Sequence, residues 1–510
     1  MNHATNLGAI IDLARDPDKT AVIDVTGDAD ASARHYSYRE IDALAGVVAR
    51  ALQARHYAPG TRIALLAVNS VSYVATVLGI MRAGLTAVPV NHKFPPALIA
   101  YVLADSGAAL VFHDERRHDA LPATIETVAL PRTPLPTPTD ARPGTSADAP
   151  PDAPALMLYT SGSTGKPKGV LLSHASHLWV VQTRRVATPL DEERALIAAP
   201  LYHMNALALM FLALASHATT VLLPQFTASQ YIRAIAQYRC TWLTAVPPMI
   251  AMMLQEKDLI ASTDLSSVRV IRMGSAPVSS SLLDAIHHLL PNARVINAYG
   301  TTEGGPVVFG PHPAGTPTPR MSVGYPHPAV SLRLERGADD PEDQGVLALK
   351  SPAIMLGYHQ RPDVAHPVSE DGYYTTGDVF RRDADGFYFF VGRRDDMFVS
   401  GGENIYPGEV EKMLEQHPAV EQAAVVPIDD DIKGQKPVAF VVRRAGMAVD
   451  AAALKAFALA HAPAYQHPRH VWFVDSFPLA STNKIDRAVL KAQAKARLSD
   501  SADASIGLRD

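Results

Sequence analysis

The chain of 510 residues contains one cysteine, Cys240. No intrachain disulfide can form, so packing must hold the fold, and a reducing, cytoplasmic setting fits. No charge sign dominates either: 46 Lys and Arg stand against 51 Asp and Glu, for a formal net charge of −5. That balance gives no electrostatic footprint for nucleic acid. Long apolar runs are missing. The most lipid-like stretch, Ala206 to Ala215, is too short to span a bilayer and is expected to be a buried core helix. The opening MNHATNLGAIIDLARDPDK has no basic region followed by a long apolar core, so it does not read as a secretory signal. No internal repeat is visible.

What is present is length and alternation. The chain can form two or more domains with a large core. From Tyr38 to Leu103 the pattern predicts helix, strand, helix, strand, helix, with strands at 62–69 and 85–91 around a helix at Val71–Arg82. Such βαβ spacing predicts a parallel sheet covered on both faces. Residues 131–154 are rich in Pro, Thr, Asp and Ala without periodicity, as an exposed connector would be. Strands and helices alternate again from Leu156 to Phe390, with strands at 269–274 and 294–300. After a break near Gly392, helices at 407–415 and 451–462 and strands at 420–427, 437–443 and 470–474 predict a small α+β unit. The tail from Ser499 is expected to fray.

Chemistry enters with YTSGSTGKPKGV (159–170). Glycine frees backbone N–H groups to wrap phosphate oxygens, hydroxyls add donors, and lysine adds charge. Apolar segments lead straight in and straight out and read as buried strands, so the loop is pinned rather than a linker. Only Ser163 and Thr164 separate Gly162 from Gly165, and Pro167 follows Lys166. The Walker spacing therefore fails. No G-x-G-x-x-G opens a helix here, so the dinucleotide fingerprint fails too.

Six further segments follow in one order: PLYHMNAL (200–207), GSAP (274–277), NAYGTTE (297–303), YTTGD (374–378), GRRDDMFVSGGENIYPGEVE (392–411) and NKIDR (483–487). Together with the loop they resemble the adenylate-forming (ANL) superfamily of acyl-CoA synthetases, adenylation domains and luciferases, over nearly the whole chain. SGGENIYPGEVE (400–411) looks most like the acid–CoA ligases. The resemblance implies a large α/β N-terminal domain, residues 1–394, with parallel-sheet βαβ layers, a smaller β subdomain and a surface excursion at 131–154. A small mobile α+β C-terminal domain, residues 395–510, completes it.

The implied reaction has two halves. A carboxylate attacks the α-phosphorus of ATP, giving an acyl-adenylate and pyrophosphate; CoA thiol then takes the acyl group and releases AMP. By resemblance, Thr160, Ser161, Gly162, Ser163, Thr164, Gly165 and Lys168 cradle the phosphates. Glu303 holds Mg²⁺, a task suited to carboxylate oxygen. Thr302 donates to the α-phosphate. Tyr299 stacks on adenine, within the strand-end segment Asn297, Ala298, Gly300 and Thr301, and Gly274, Ser275 and Ala276 form the opposite wall. Asp378 accepts the ribose hydroxyls, with Arg393 beside it. Lys484 reaches in from the small domain to bridge the substrate carboxylate and the α-phosphate. The family usually has Gly before this lysine; Asn483 stands there, and Asn tolerates positive φ. Asp395 matches the hinge. Gly401 and Gly402 would line the pantetheine channel, with Tyr465, His467 and Arg469 as candidates for contacts to the rest of CoA.

For the acid, His203, Met204, Asn205, Gly304 and Gly305 are the pocket candidates, the two glycines being read as leaving room. No Asp lies between Leu201 and Leu214 to hold an α-ammonium, which disfavours a free amino acid. TTEGGPV (301–307) looks like the hydroxycinnamate–CoA ligases, in which Asn205 would meet a ring hydroxyl. An aromatic or hydroxycinnamic acid and a medium or long fatty acid both stay open. So do two alternatives to a CoA ligase: an enzyme that loads a carrier protein, and an inactive nucleotide-binding regulator. The expected partners are small molecules, namely the acid, ATP and CoA, with no nucleic acid and no membrane span. Oligomeric state is not readable.

Overall fold

The computed structural model describes residues 5–25, 33–130, 146–147, 149–160, 167–337, 340–361, 368–400, 403–430, 433–480 and 484–506, with side chains to Leu498. Two seven-stranded sheets form the large part. One runs, edge to edge, through 294–297, 270–273, 242–245, 194–197, 219–222, 20–24 and 34–37. It is parallel except at its last edge, where Thr20–Asp24 pairs antiparallel with Arg34–Ser37. The other runs through 357–358, 168–173, 154–160, 86–89, 62–66, 110–113 and 126–129.

The expected alternation is present. Helices Tyr38–Gln53, Val71–Arg82 and Pro96–Ser106 separate strands Arg62–Leu66 and Thr86–Pro89. Every residue of Val71–Arg82 is buried, which is why its sequence is apolar all round rather than striped. Ser37 and Glu40 close a reciprocal capping box on the first helix. The Ala206–Ala215 run lies in helix Met204–Ser216 and is buried throughout. Each large side chain buried this way contributes about 1.5–3 kcal/mol, so this helix anchors the core that presents His203 at its N-terminal end.

An antiparallel four-stranded sheet follows, in the order 331–335, 344–350, 374–382, 388–393. The chain leaves it at Arg393 and enters the last sheet at Phe398. That sheet is built from 403–405, 398–400, 434–443 and 420–430, with His470–Phe473 parallel on 434–443. It has its own apolar cores, around Val410 and Leu454 on one face and Phe440 and Leu490 on the other.

The tail departs from the expectation. Helix Arg487–Ile506 runs through Ser499, because Ala is the best helix former, Ser and Asp are weak rather than forbidden ones, and the helix is seeded by buried Leu490 and Ala494. Among the described residues no helix is long and apolar enough to cross a membrane.

Candidate active site

The glycine-rich loop joins two antiparallel strands, Pro154–Thr160 and Lys168–Ser173, with Thr160 opposite Lys168. Ser161, Gly162, Ser163, Thr164 and Gly165 lie outside the described residues, as do Gly401, Gly402 and Asn483. The two ends of the loop face Glu303. Thr160 Oγ1 donates to Glu303 Oε1 at 3.3 Å, and the Tyr358 hydroxyl donates to the same oxygen at 3.2 Å. Lys168 Nζ sits over the Tyr358 ring, 4.4 Å from its centre. Glu303 is buried and accepts from two neutral hydroxyls, with no ion pair among the described residues.

Glu303 ends a turn that leaves strand Arg294–Asn297. Asn297 Nδ2 donates to the Met321 carbonyl at 3.1 Å, and Ala298 N to the Met273 carbonyl at 2.7 Å. Thr301 pairs with Gly305, and Thr301 Oγ1 accepts from Gly304 N at 2.8 Å. Half-buried Thr302 lies between them. A Cβ on Gly300 would stand 2.7 Å from Pro306 Cα, so the turn closes only with glycine there. A Cβ on Gly304 would meet Leu349 at 2.9 Å, and one on Gly305 would meet Ala353 Cβ at 2.4 Å, at a φ of +87°. Packed neighbours thus leave no room for a side chain at either position. Across from this turn, Ser275 adopts a φ of +66°, an uncommon conformation for a residue with a side chain. It follows Gly274, whose Cβ would lie 3.0 Å from the Ala298 carbonyl. Ala276 follows, half-buried.

Tyr299 packs edge-on against Phe380, ring centres 4.8 Å apart. Its hydroxyl donates to Asp378 Oδ2 at 2.6 Å. Asp378 faces Arg393 across paired strands, with Arg393 Nε 3.3 Å from Oδ1. Burial raises the Asp378 carboxyl above its ordinary range, while Arg393 and Tyr299 pull it back. Burial pushes the Tyr299 phenol up, and the Asp378 charge adds to it. Arg393 Nη2 also lies 3.8 Å from Asp395.

Lys484 comes from the last unit. Leu479 and Ile485 pair, and Ala480 N donates to the Lys484 carbonyl at 2.8 Å. Lys484 is an exposed residue, although protein lies around its ammonium. Its pKa is lowered, first by desolvation, and the charges of Asp378 and Glu303 partly restore it. It makes no ion pair among the described residues. His203, at the N-terminal end of Met204–Ser216, feels the same lysine. Burial, then Lys484, Lys93 and His92, push it down to about 4, so it is neutral at pH 7. The structure thus brings together Thr160, Lys168, Tyr299, Glu303, Asp378, Arg393, Lys484 and His203. Tyr465, His467 and Arg469 stand apart from them: Tyr465 lies in a short turn against strand 403–405, and Arg469 Nη1 pairs with His467 Nδ1 at 3.3 Å.

Three residues escaped the sequence analysis. Tyr358, on Glu303, sits in a two-residue strand that no pattern announces. Arg272 and Arg184 flank Asn205 and its helix. Arg272 left a signal that went unused, a lone cation inside the apolar strand Val270–Met273.

The AMP-binding enzyme family model matches residues 11–359, and the model for the AMP-binding enzyme C-terminal domain matches residues 409–484. The chain is 34% identical over 460 residues to the feruloyl-CoA synthase of Amycolatopsis sp, covering 88% of this chain and 92% of that protein. It is 34% identical over 469 residues to the sulfoacetate–CoA ligase of Cupriavidus necator, covering 88% and 90%. The solved structure of the anthranilate CoA ligase AuaEII in complex with anthranoyl-AMP aligns with a TM-score of 0.84 at 26% identity, over 97% of this chain and 98% of that one.

Proposed function

This chain belongs to the AMP-binding enzyme family of adenylate-forming ligases, and on that premise we propose that it joins a carboxylic acid to CoA at the expense of ATP. The acid becomes an acyl-adenylate with loss of pyrophosphate, and the thiol of CoA then displaces AMP. The reading is supported by Glu303 held between Thr160 and Tyr358 and Asp378 held between Tyr299 and Arg393, with Lys484 near enough for its ammonium to feel both carboxylates and His203.

Each residue then has a task. Asp378, oriented by Tyr299 and Arg393, accepts from the ribose hydroxyls; each of its oxygens has a lone pair beyond those contacts. Tyr299 presents its ring to adenine, opposite Gly274, Ser275 and Ala276. Thr160 and Lys168 position phosphate oxygens together with the loop between them, and Thr302 donates to the α-phosphate. Lys484 offsets the negative charge that builds as the carboxylate closes on phosphorus, an electrostatic effect strengthened where water is excluded. Neutral His203 offers a hydrogen bond to the acid without competing for charge.

Glu303 is the residue that would hold Mg²⁺. Among the described residues no cluster of three or more His, Cys, Asp or Glu could hold a metal ion. A single carboxylate fits an ion whose other ligands are phosphate oxygens and water. Bound there, Mg²⁺ would neutralise phosphate charge. Asp395 lies where the second unit would swing to admit the thiol, with Gly401 and Gly402 along its path and Tyr465, His467 and Arg469 against the rest of CoA. The cytoplasm is the compartment that fits this reading, since ATP and CoA are supplied there and the free thiol of Cys240 would stay reduced.

The relatives' names span feruloyl and sulfoacetate, an aromatic and an aliphatic acid. An aromatic acid is the reading we adopt for the framework of the substrate. Acid-dependent exchange of pyrophosphate into ATP over a broad acid panel, followed by CoA consumption, tests the function. Exchange with one or more acids and thioester formation with free CoA are expected. An adenylate that accumulates in the presence of CoA would instead mean a carrier-protein acceptor, and no exchange with any acid would overturn the reading.

A further inference from the structure

Arg272 and Asn205 bond to each other two residues past His203, and Arg184 feels the charge of Arg272, with no acid to receive these donors among the described residues. Arg272 lies between Ile271 and Met273, both fully buried, and its Nη1 donates to Asn205 Oδ1 at 3.1 Å. That bond fixes the Asn205 amide, since the reverse orientation would set two donors face to face. Asn205 Nδ2 is consequently turned away; it is buried and has no partner. Arg184 lies seven residues after His177 on helix His174–Ala187, two turns along the same face. That face is buried at His177, Val180 and Val181, so Arg184 points where the core would be.

Neither guanidinium has a carboxylate partner among the described residues. Both are enclosed by protein but keep some accessible surface, which is how a side chain lining a pocket presents itself. Desolvation lowers both below the usual arginine range, Arg272 to about 10, and the charge of Arg272 lowers Arg184 further. The two cations thus lie close enough to repel. His177, on the same helix, is pushed down to about 4 by burial and brings no charge.

A purely structural account is incomplete. Arg184 falls in the last turn of its helix, where the backbone dipole favours a cation. That explains one arginine near one carbonyl end. It does not explain a second arginine beside it, nor an amide donor left unpaired. An enclosed charge normally persists only when something pairs with it.

The location indicates what that is. Asn205 is two residues past His203, whose ring feels Lys484, and Arg272 is two residues before Gly274. A substrate whose reacting carboxylate lies at Lys484 and whose body passes His203 would end at these donors. We propose that the acid this enzyme activates carries a second oxyanionic group, a carboxylate or a sulfonate, held at the far end of its pocket by Arg184, Arg272 and the Asn205 amide. The proposal rests on the ligase reading above and narrows its substrate. An aromatic framework between the two anions remains in keeping with it. A fatty acid would lay an alkyl chain against two guanidinium groups and an unpaired amide, and a hydroxycinnamate would offer them one neutral phenol.

The test uses the full chain and matched acids: phenylacetate, 4-carboxyphenylacetate and 4-sulfophenylacetate, with hexanoate, adipate and ferulate alongside. Adenylation is read by pyrophosphate exchange, and binding by calorimetry. The anionic members should exceed their neutral partners by about 100-fold in kcat/KM, since a site built of polar groups rejects a ligand that leaves them unpaired. The carboxylate and sulfonate arms tell which oxyanion is preferred. Arg184→Met and Arg272→Met should erase the preference and raise the thermal midpoint, because each relieves an enclosed, uncompensated charge; a merely structural arginine would lower that midpoint. Neutral acids that react as well as their anionic partners would overturn the proposal and leave the ligase function standing. If no acid exchanges but the anionic acids still bind more tightly, and the arginine variants lose that binding, the proposal stands and the ligase reading falls. Equal binding of neutral and anionic acids overturns it in either case.

Discussion

The phenol of Tyr299 donates to Asp378 Oδ2 at 2.6 Å, which ties the turn carrying Glu303 to the strand that faces Arg393. Asp378 is buried and its carboxyl is raised by desolvation, while Arg393 and the Tyr299 hydroxyl pull it back. Tyr299→Phe retains the ring and deletes one donor. A hydrogen bond to a charged group contributes about 1.5–3 kcal/mol, so KM for ATP should rise on the order of 10-fold with little change in kcat. Steady-state kinetics with varied ATP measure this, and an unchanged KM would show that Asp378 does not depend on Tyr299.

Lys484 should matter for adenylation and hardly for thiolysis. Losing the charge-assisted contact costs on the order of 3–4 kcal/mol, about a hundred- to a thousand-fold in rate. Lys484→Ala is expected to stall with acid and ATP while still making thioester from supplied acyl-adenylate and CoA. Equal loss of both half-reactions would point to a folding defect.

The same lysine sets a pH dependence. Desolvation lowers its pKa, so it loses its charge at a lower pH than a solvated lysine. Adenylation should therefore decline on the alkaline side earlier than an ordinary lysine would dictate, and Lys484→Arg should shift that limb upward. His203, neutral above about 4, should contribute no limb between pH 5 and 8. A pH–rate profile of the exchange reaction that keeps its alkaline limb in Lys484→Arg would assign the limb elsewhere.

Glu303→Gln keeps an oxygen able to accept from Thr160 or Tyr358, so the fold should survive. Exchange should lose most of its rate, because a neutral amide is a poor ligand for a hard cation. Titrating Mg²⁺ checks the assignment. A variant that exchanges at the wild-type rate with the same Mg²⁺ dependence removes Glu303 from the metal role.

Glu415 faces the large unit, beside a cavity of about 340 Å³ that Phe390 and Lys412 also line. Burial raises its carboxyl to about 8 from an ordinary 4.5. Below the ordinary value both folded and unfolded forms are protonated and nothing is lost. Between the two values the unfolded chain ionises and the folded one resists, so stability falls as pH rises and levels off above about 8. Glu415→Gln should be indistinguishable from wild type near pH 4 and more stable at pH 9. The gain should be a few kcal/mol at most, each unit being worth about 1.4. Denaturant melts at the two pH values decide it.

The order of short segments in the sequence was enough to indicate the adenylate-forming family, and alternation of apolar runs was enough to place the main strands and helices. Those signals are local: a glycine-rich turn or a buried strand is written in adjacent residues. Contacts between distant positions are not. Nothing near Tyr358 announces that it shares an oxygen of Glu303 with Thr160, 55 and 143 residues from that carboxylate. The glycines after Glu303 read as small residues beside a pocket, and only packing showed that Leu349 and Ala353 leave no room for a side chain there. Arg184 and Arg272 are 88 positions apart by their numbers and unremarkable singly. Their meaning lies in the counter-charge that neither meets among the described residues, which only the three-dimensional arrangement of neighbouring carboxylates can establish.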